Sequence, residues 1–276
     1  MPKSAQSKSD DQLVTAQLSY AIDTGEVLIN QITKIGDTSR KITGEYCAYD
    51  VTMHDGRVAC DAFSIETHGF IFVNHPSAVT DFYDDTEVTN VYYPEAERLL
   101  LAMTGSARVH IFDHTRRHSH EPSRTGNVRE PATSVHNDYT EWSGPRRLRD
   151  ILPDEAEGLL QRRFAIIQIW RAINLPIEVM PLAMCDARTL DPADLLISER
   201  RSPGRIGQTY QVKYNPSHKW YWFSKMTRNE ALIFKVYDSN KNSPVRWTAH
   251  SAFENKTARD DAPPRESMEI RAFVFW

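Results

Sequence analysis

The chain has 276 residues, 40% of them hydrophobic and 25% charged, with a formal net charge of -4. That composition suits a globular protein with a sizeable core, and the mild negative charge argues against non-specific nucleic-acid binding. No apolar run approaches the ~20 residues that span a bilayer, and Cys47, Cys60 and Cys185 form no CxxC pair, which argues against a disulfide framework or a Cys-based zinc site.

Residues 1–12 are rich in Ser, Lys, Gln and Asp and lack an apolar signal core, so a disordered leader on a cytoplasmic protein is expected. Residues 46–53 alternate loosely before His54-Asp55-Gly56-Arg57, which predicts an early β-hairpin. A short apolar strand comes next at 68–73. Pro94, the acids behind it and Gly105 mark a helix over 91–105. The segment 107–112 reads as a strand and 113–135 as a long polar loop. Residues 154–163 suggest a helix, 164–173 a strongly apolar strand, and 186–198 a turn with a short helix. Strands are expected at 208–214, 220–226, 231–237, 245–253 and 267–275. Helices early and short strands late predict a mainly β fold with flanking helices, a double-stranded β-helix or jelly roll, with 13–276 as one domain.

The chemistry centres on His136-Asn137-Asp138-Tyr139-Thr140. On an extended strand alternate side chains leave the same face, so His136 and Asp138 project together. They supply two ligands of a 2-His-1-carboxylate site, which leaves positions open on a non-haem Fe(II). A distant histidine is then needed, and His250, on the expected strand 245–253, offers one. Farther on, Arg265, Ser267, Glu269 and Arg271 share one face of the last strand, while Met268, Ile270, Ala272 and Val274 share the other. A buried Arg beside a Ser hydroxyl suits a carboxylate, which the guanidinium fork grips bidentately.

The order HxD, distal His, then Arg-x-Ser resembles the Fe(II)/2-oxoglutarate-dependent oxygenases. More narrowly, His68-Gly69-Phe70, Tyr93-Pro94-Glu95, Phe112-Asp113-His114, His136 to Thr140, Trp170-Arg171, Pro181-Leu182-Ala183 and Arg265 to Arg271 resemble the AsaB-like (CmcJ-related) hydroxylase/desaturase family. The likeness covers nearly the whole chain after the leader. It implies that His136, Asp138 and His250 ligate Fe(II), and that Arg265 with Ser267 holds the distal carboxylate of 2-oxoglutarate. It further implies that O2 is consumed in hydroxylation, desaturation or oxidative cyclisation of a small secondary-metabolite or amino-acid-derived substrate. Tyr210 or Tyr214 is a candidate to add a hydroxyl to the carboxylate site. Arg271 is open to three roles: assisting the co-substrate, binding an acidic substrate, or pairing with Glu269.

Plainer readings stand beside these. HxD alone occurs in Asx-type surface turns. His110, His114, His118 and His120 tempt as a zinc cluster, but their basic, Ser-rich surroundings suit a dication poorly. Trp142 is a substrate-pocket candidate by position, and Phe273 and Phe275 continue the Arg265 face and either border the substrate or pack. Arg146, Arg147 and Arg149 read most simply as a solvated loop. The alternatives at the level of function are a cupin-like metalloenzyme that does not use 2-oxoglutarate and a non-catalytic partner of a tailoring enzyme.

Overall fold

Phe164–Ala172 is buried at every position, so this strand requires cover on both faces. The computed structural model describes residues 13–32, 40–124 and 126–276, and the expected leader at 1–12 lies outside the described residues. Phe164–Ala172 occupies the centre of a five-stranded antiparallel sheet ordered Phe70–Asn74, Glu230–Asp238, Phe164–Ala172, Glu266–Phe275 and Arg108–His118. On one face Ile167, Ile169, Ile270 and Val274 pack against Tyr92, Ala96 and Leu100, which lie on or beside the helix Tyr93–Thr104. That helix has Pro94 in its first turn and ends at Gly105 with φ 61°, a left-handed conformation that glycine adopts without a Cβ clash.

The other face meets a second, ten-stranded sheet. Its order is Leu13–Ala21, Tyr46–Asp55, Trp220–Trp222, Leu182–Cys185, His250–Ala252, His136–Asn137, Arg205–Val212, Leu195–Ser202, Leu28–Ile32 and Arg40–Ile42. Between the sheets lie Ile166, Trp170, Phe234 and Phe273 from one and Leu182 and Met184 from the other. The larger sheet curls: Ser19 bridges Ser134 and Ala21 bridges Lys213, returning the first strand against residues beside the His136 and Arg205 strands. The curl encloses Leu18, Tyr20, Val135 and Trp220. This is a jelly roll with helices outside it, as expected. No helix among the described residues is long and apolar enough to cross a membrane.

Several local expectations are corrected. Tyr46–Asp55 forms no hairpin with the residues after it; it pairs antiparallel with Leu13–Ala21 and parallel with Trp220–Trp222. The His54–Arg57 turn signal instead starts a 3₁₀ segment, Gly56–Ala62, where Asp55 accepts from the Arg57 amide at 3.0 Å. The strand predicted to stop at Phe112 runs on to His118, because Asp113, Thr115 and Arg117 pair with Arg271, Glu269 and Ser267 across the sheet. The basic run at 146–149 lies on a helix, Ser143–Ile151, whose buried side is Ser143, Gly144 and Leu148. The helix expected over 154–163 shrinks to Ala156–Leu159. Finally, 195–198 is strand, drawn into the Leu195–Ser202 ladder with Arg205–Val212.

Candidate metal and co-substrate site

His250 and His136 are direct cross-strand partners in the ten-stranded sheet, with ring centroids 4.4 Å apart. Each imidazole is tethered by Nδ1: His136 donates to the Ser134 carbonyl at 2.8 Å, and His250 to the Thr248 carbonyl at 3.1 Å. Both Nε2 atoms are thereby left with lone pairs for a metal, the usual outer-shell device for fixing a ligand's tautomer. Asp138, two residues on, brings Oδ1 to 3.6 Å from His136 Nε2. One ligand atom from each of the three residues lies within 4.8 Å of the others, and this is the only such His/Cys/Asp/Glu group among the described residues.

The protonation states suit ligation. Burial, then the neighbouring His250, pushes His136 down to about 4, and burial likewise lowers His250. Burial alone would raise Asp138, but the Arg271 guanidinium, and after it the two histidines, hold its carboxyl well below the usual carboxylate range. At neutral pH the donor set is two neutral imidazoles and one carboxylate. The carboxylate is held from behind. Gln168 Nε2 donates to Asp138 Oδ2 at 2.5 Å and Arg271 Nε lies 3.5 Å from the same oxygen, these two residues being paired across adjacent strands. Oδ1 therefore faces the imidazoles.

Arg265 is 2% exposed. Its Nε donates to Ser267 Oγ at 2.9 Å, its Nη1 donates to the Met180 carbonyl at 2.8 Å, and its guanidinium lies 4.9 Å from the centre of the Trp170 ring. Met180 holds a left-handed φ of 51°, uncommon for a residue with a Cβ. No carboxylate among the described residues forms an ion pair with Arg265, and burial, with Arg117 adding to it and Glu269 opposing from a distance, pushes its pKa down to about 9. A dehydrated guanidinium beside a hydroxyl is a carboxylate receptor. Three further buried atoms on the strands that carry the site have no partner: Gln168 Oε1, Trp170 Nε1 and Gln211 Oε1. Gln211 is paired directly with His136. Of the three, the Trp170 N–H can donate to an anion, and with the His-Asp-His ligands and the Arg265 guanidinium the site fits Fe(II) and a dicarboxylate.

Arg271, on the same strand face, differs. It is ion-paired with Glu269 and Asp113 and bonds Thr115 Oγ1 at 3.0 Å. Of its three open roles, pairing with Glu269 is present in the structure. Tyr210 is not brought to Arg265; its hydroxyl accepts from the Glu141 amide at 3.3 Å and its ring meets Trp247 edge-on. Tyr214 stacks on Tyr49 at 4.0 Å. Phe273 and Phe275 lie in the core between the sheets, against Phe164, because the strand face turns from polar to apolar after Arg271. The histidines of the 110–120 stretch are dispersed: His114 bonds Tyr93, and His118 accepts from the His120 amide.

A cavity of about 640 Å³ opens onto Asp138 and Arg271, with Tyr139, Trp142 and Gln208 in its wall. Trp142 is 43% exposed and carries Arg146 over its ring at 5.1 Å. Sequence reasoning missed Gln168 and Arg117. The signal for Gln168 was available: it is the lone amide inside the apolar run Ala165-Ile166-Ile167-Gln168-Ile169. The polar stretch 113–135 predicts a loop for Arg117, whereas it sits opposite Ser267 on a strand.

Comparison with known proteins agrees with this geometry. A protein family described as an oxidoreductase/YMDC permease-like domain matches residues 18–275. The hydroxylase/desaturase CTB9 of Cercospora beticola is 34% identical over 237 residues, 78% of this chain and 72% of that protein. The Fe(II)/2-oxoglutarate-dependent dioxygenase nvfI of Aspergillus novofumigatus is 33% identical over 264 residues, 91% and 92% of the two chains. A solved structure of NvfI, described as an iron and alpha-ketoglutarate-dependent endoperoxidase, superposes with a TM-score of 0.85 at 30% identity, covering 97% of this chain and 99% of that one.

Proposed function

This chain belongs to the Fe(II)/2-oxoglutarate-dependent dioxygenases and hydroxylase/desaturases matched by the oxidoreductase/YMDC family, and we propose that His136, Asp138 and His250 hold its iron while Arg265 and Ser267 receive the distal carboxylate of 2-oxoglutarate. Residues 13–276 act as one catalytic domain on a small secondary-metabolite substrate that enters by the cavity beside Asp138. The observation that carries the assignment is the pairing of a tethered His-Asp-His cluster with a buried guanidinium that has no carboxylate of its own.

When bound, iron supplies the redox centre at which O2 and 2-oxoglutarate are consumed and a substrate C–H bond is oxidised. The chain's own residues do the positioning. Ser134 and Thr248 carbonyls orient the two imidazoles, and Gln168 and Arg271 orient the carboxylate. Arg265, braced by the Met180 carbonyl and the Trp170 ring, fixes the far end of the co-substrate through charge-assisted hydrogen bonds. The apolar seal of Phe273, Phe164 and Phe234 excludes water from the core behind the site. Trp142 and Tyr139 present an aromatic wall to the substrate.

The test is anaerobic addition of Fe(II) and then 2-oxoglutarate, with the visible spectrum recorded after each. A weak charge-transfer band that needs both additions is expected in the wild type, absent in His136→Ala and weakened in Arg265→Ala. No band from folded wild-type protein would overturn the assignment of these residues. An undiminished band in Arg265→Ala would move the co-substrate carboxylate elsewhere.

A further inference from the structure

The cavity beside Asp138 is lined by eight arginines and only four aspartates, one of them Asp138 itself, in a chain whose net charge is -4. Some of that positive charge is matched internally. Arg116 pairs with Asp85 at 2.6 Å, Arg201 with Glu199 at 2.7 Å, Arg147 with Asp113 at 3.2 Å, and Arg271 with Asp113 and Glu269. Two arginines are left with little. Arg146 has no ion pair with a carboxylate among the described residues and rests on Trp142 alone, its guanidinium 5.1 Å from the ring centre. Arg205 is 57% exposed and reaches Asp150 only at 4.0 Å, the outer limit of an ion pair. Arg146 projects from the helix Ser143–Ile151 and Arg205 opens the strand Arg205–Val212, so two separate elements bring cations to one wall.

We propose that the substrate is an organic anion, an acid group on a flat apolar body. Arg146 and Arg205 take the acid group while the body lies along Trp142, Tyr139 and Ile206 toward Asp138. The inference rests on the oxygenase reading of the same cavity and adds the substrate's chemical class to it. An excess of cations along a concave wall raises the local concentration of anions. A guanidinium already stacked on an indole is pre-oriented to form paired hydrogen bonds with a carboxylate. The cavity's volume, about 640 Å³, is that of a drug-sized ligand pocket.

The experiment uses two probes of the same shape: 1-anilinonaphthalene-8-sulfonate, which is anionic, and N-phenyl-1-naphthylamine, its neutral counterpart. Each is titrated by fluorescence into full-length protein loaded with Fe(II) and 2-oxoglutarate under anaerobic conditions. The anion is expected to bind about tenfold tighter than the neutral dye, and R146Q/R205Q to remove about that factor for the anion alone. The control R149Q, on the same helix but paired with Glu157 and outside the cavity lining, is expected to change neither dye. Equal affinities in the wild type, or an equal loss of both dyes in R146Q/R205Q, would overturn the anionic class. The iron/2-oxoglutarate band is recorded on every sample. Its absence from the wild type sinks the oxygenase assignment, whereas its presence with indifferent dyes sinks only the substrate class. The single variants R146Q and R205Q, each expected to show part of the selective loss, decide the matter if the double variant does not fold.

Discussion

Replacing Arg265 with Met is expected to leave the metal-free protein as stable as the wild type, or slightly more stable, while abolishing its response to 2-oxoglutarate. The folded environment lowers the Arg265 pKa from 12.5 to about 9. At roughly 1.4 kcal/mol per pKa unit, the fold holds this cation at a cost of roughly 5 kcal/mol. The sign comes from proton linkage: between pH 9 and 12.5 the unfolded chain binds the proton and the folded chain does not, so stability rises with pH across that window and the penalty is fully present at neutral pH. Met fills similar volume without the charge. Against the gain stand two acceptors left without their donor, the Met180 carbonyl and Ser267 Oγ, at about 1–3 kcal/mol each. The balance runs from about 1 kcal/mol against Met to about 3 kcal/mol in its favour, in line with the outcome when buried ionic groups are replaced by apolar ones.

The assay is thermal unfolding of apo protein, then the same scan with iron and saturating 2-oxoglutarate. A ligand at a hundred times its Kd adds about 2.7 kcal/mol, or several degrees for a chain of this size. That increment is expected in the wild type and not in Arg265→Met. A fall of several degrees in the apo variant, with the ligand increment intact, would refute the reasoning: Arg265 would then be a structural brace for the left-handed Met180 turn.

Gln168→Leu removes the donor behind Asp138 Oδ2, and iron affinity is expected to drop about 10–100-fold with the apo fold retained, as read by Fe(II) titration of the visible band. Asp238→Asn breaks a buried cluster in which Arg163 Nη2 and Lys235 Nζ lie 2.7 and 2.9 Å from the carboxylate; a loss of about 3–5 kcal/mol is expected at neutral pH. Burial opposes ionisation of Asp238, but Arg163 and Lys235 hold its pKa below 3.8, so the stability difference should be full above 3.8 and fade as pH falls through the lowered value, checked by urea midpoints. Gly144→Ala sets a Cβ 2.7 Å from the Tyr237 ring, so the Ser143–Ile151 helix must shift; about 1–3 kcal/mol of stability and a raised KM are expected, from a cavity wall that carries Trp142 and Arg146.

What could be read from the sequence was what depends on local period. The alternation of Arg265, Ser267, Glu269 and Arg271 against Met268, Ile270 and Val274 survives in the structure, because both faces of Glu266–Phe275 are covered and a one-residue slip would exchange them. His136 and Asp138 needed only the two-residue repeat of an extended chain. Pairing partners were not legible. Tyr46–Asp55 looked like a hairpin arm because its turn signal was real, yet the strand it needed lay upstream at Leu13–Ala21 and the turn began a 3₁₀ segment. The strand through Asp113, Thr115 and Arg117 was hidden by its own charges, which read as solvated until Arg271 and Ser267 are placed opposite them. Polar residues directed into a barrel carry the same sequence signal as polar residues in a loop.

The same limit explains why it is the family resemblance, and not the residue pattern, that sets Arg265 ahead of the weaker candidate Arg271. They lie on one face of one strand, and either guanidinium suits a carboxylate. Their neighbours separate them. Arg271 pairs with Glu269 and Asp113, approaches Asp138, and has its pKa raised well above the usual guanidinium range, burial opposing and Glu269 leading the acids that outweigh it. Arg265 has a carbonyl, a hydroxyl and an indole face and, among the described residues, no ion-paired acid, Glu269 acting on it only through space. A cation already neutralised gains little from another carboxylate, whereas a dehydrated cation without one gains nearly the whole of a charge-assisted pair. Exchanging those roles by Glu269→Gln would release Arg271 from one acid, and a second, weaker 2-oxoglutarate-binding mode is expected in calorimetry. If Glu269→Gln leaves a single unchanged binding event, Asp113 alone suffices to keep Arg271 occupied with Asp138.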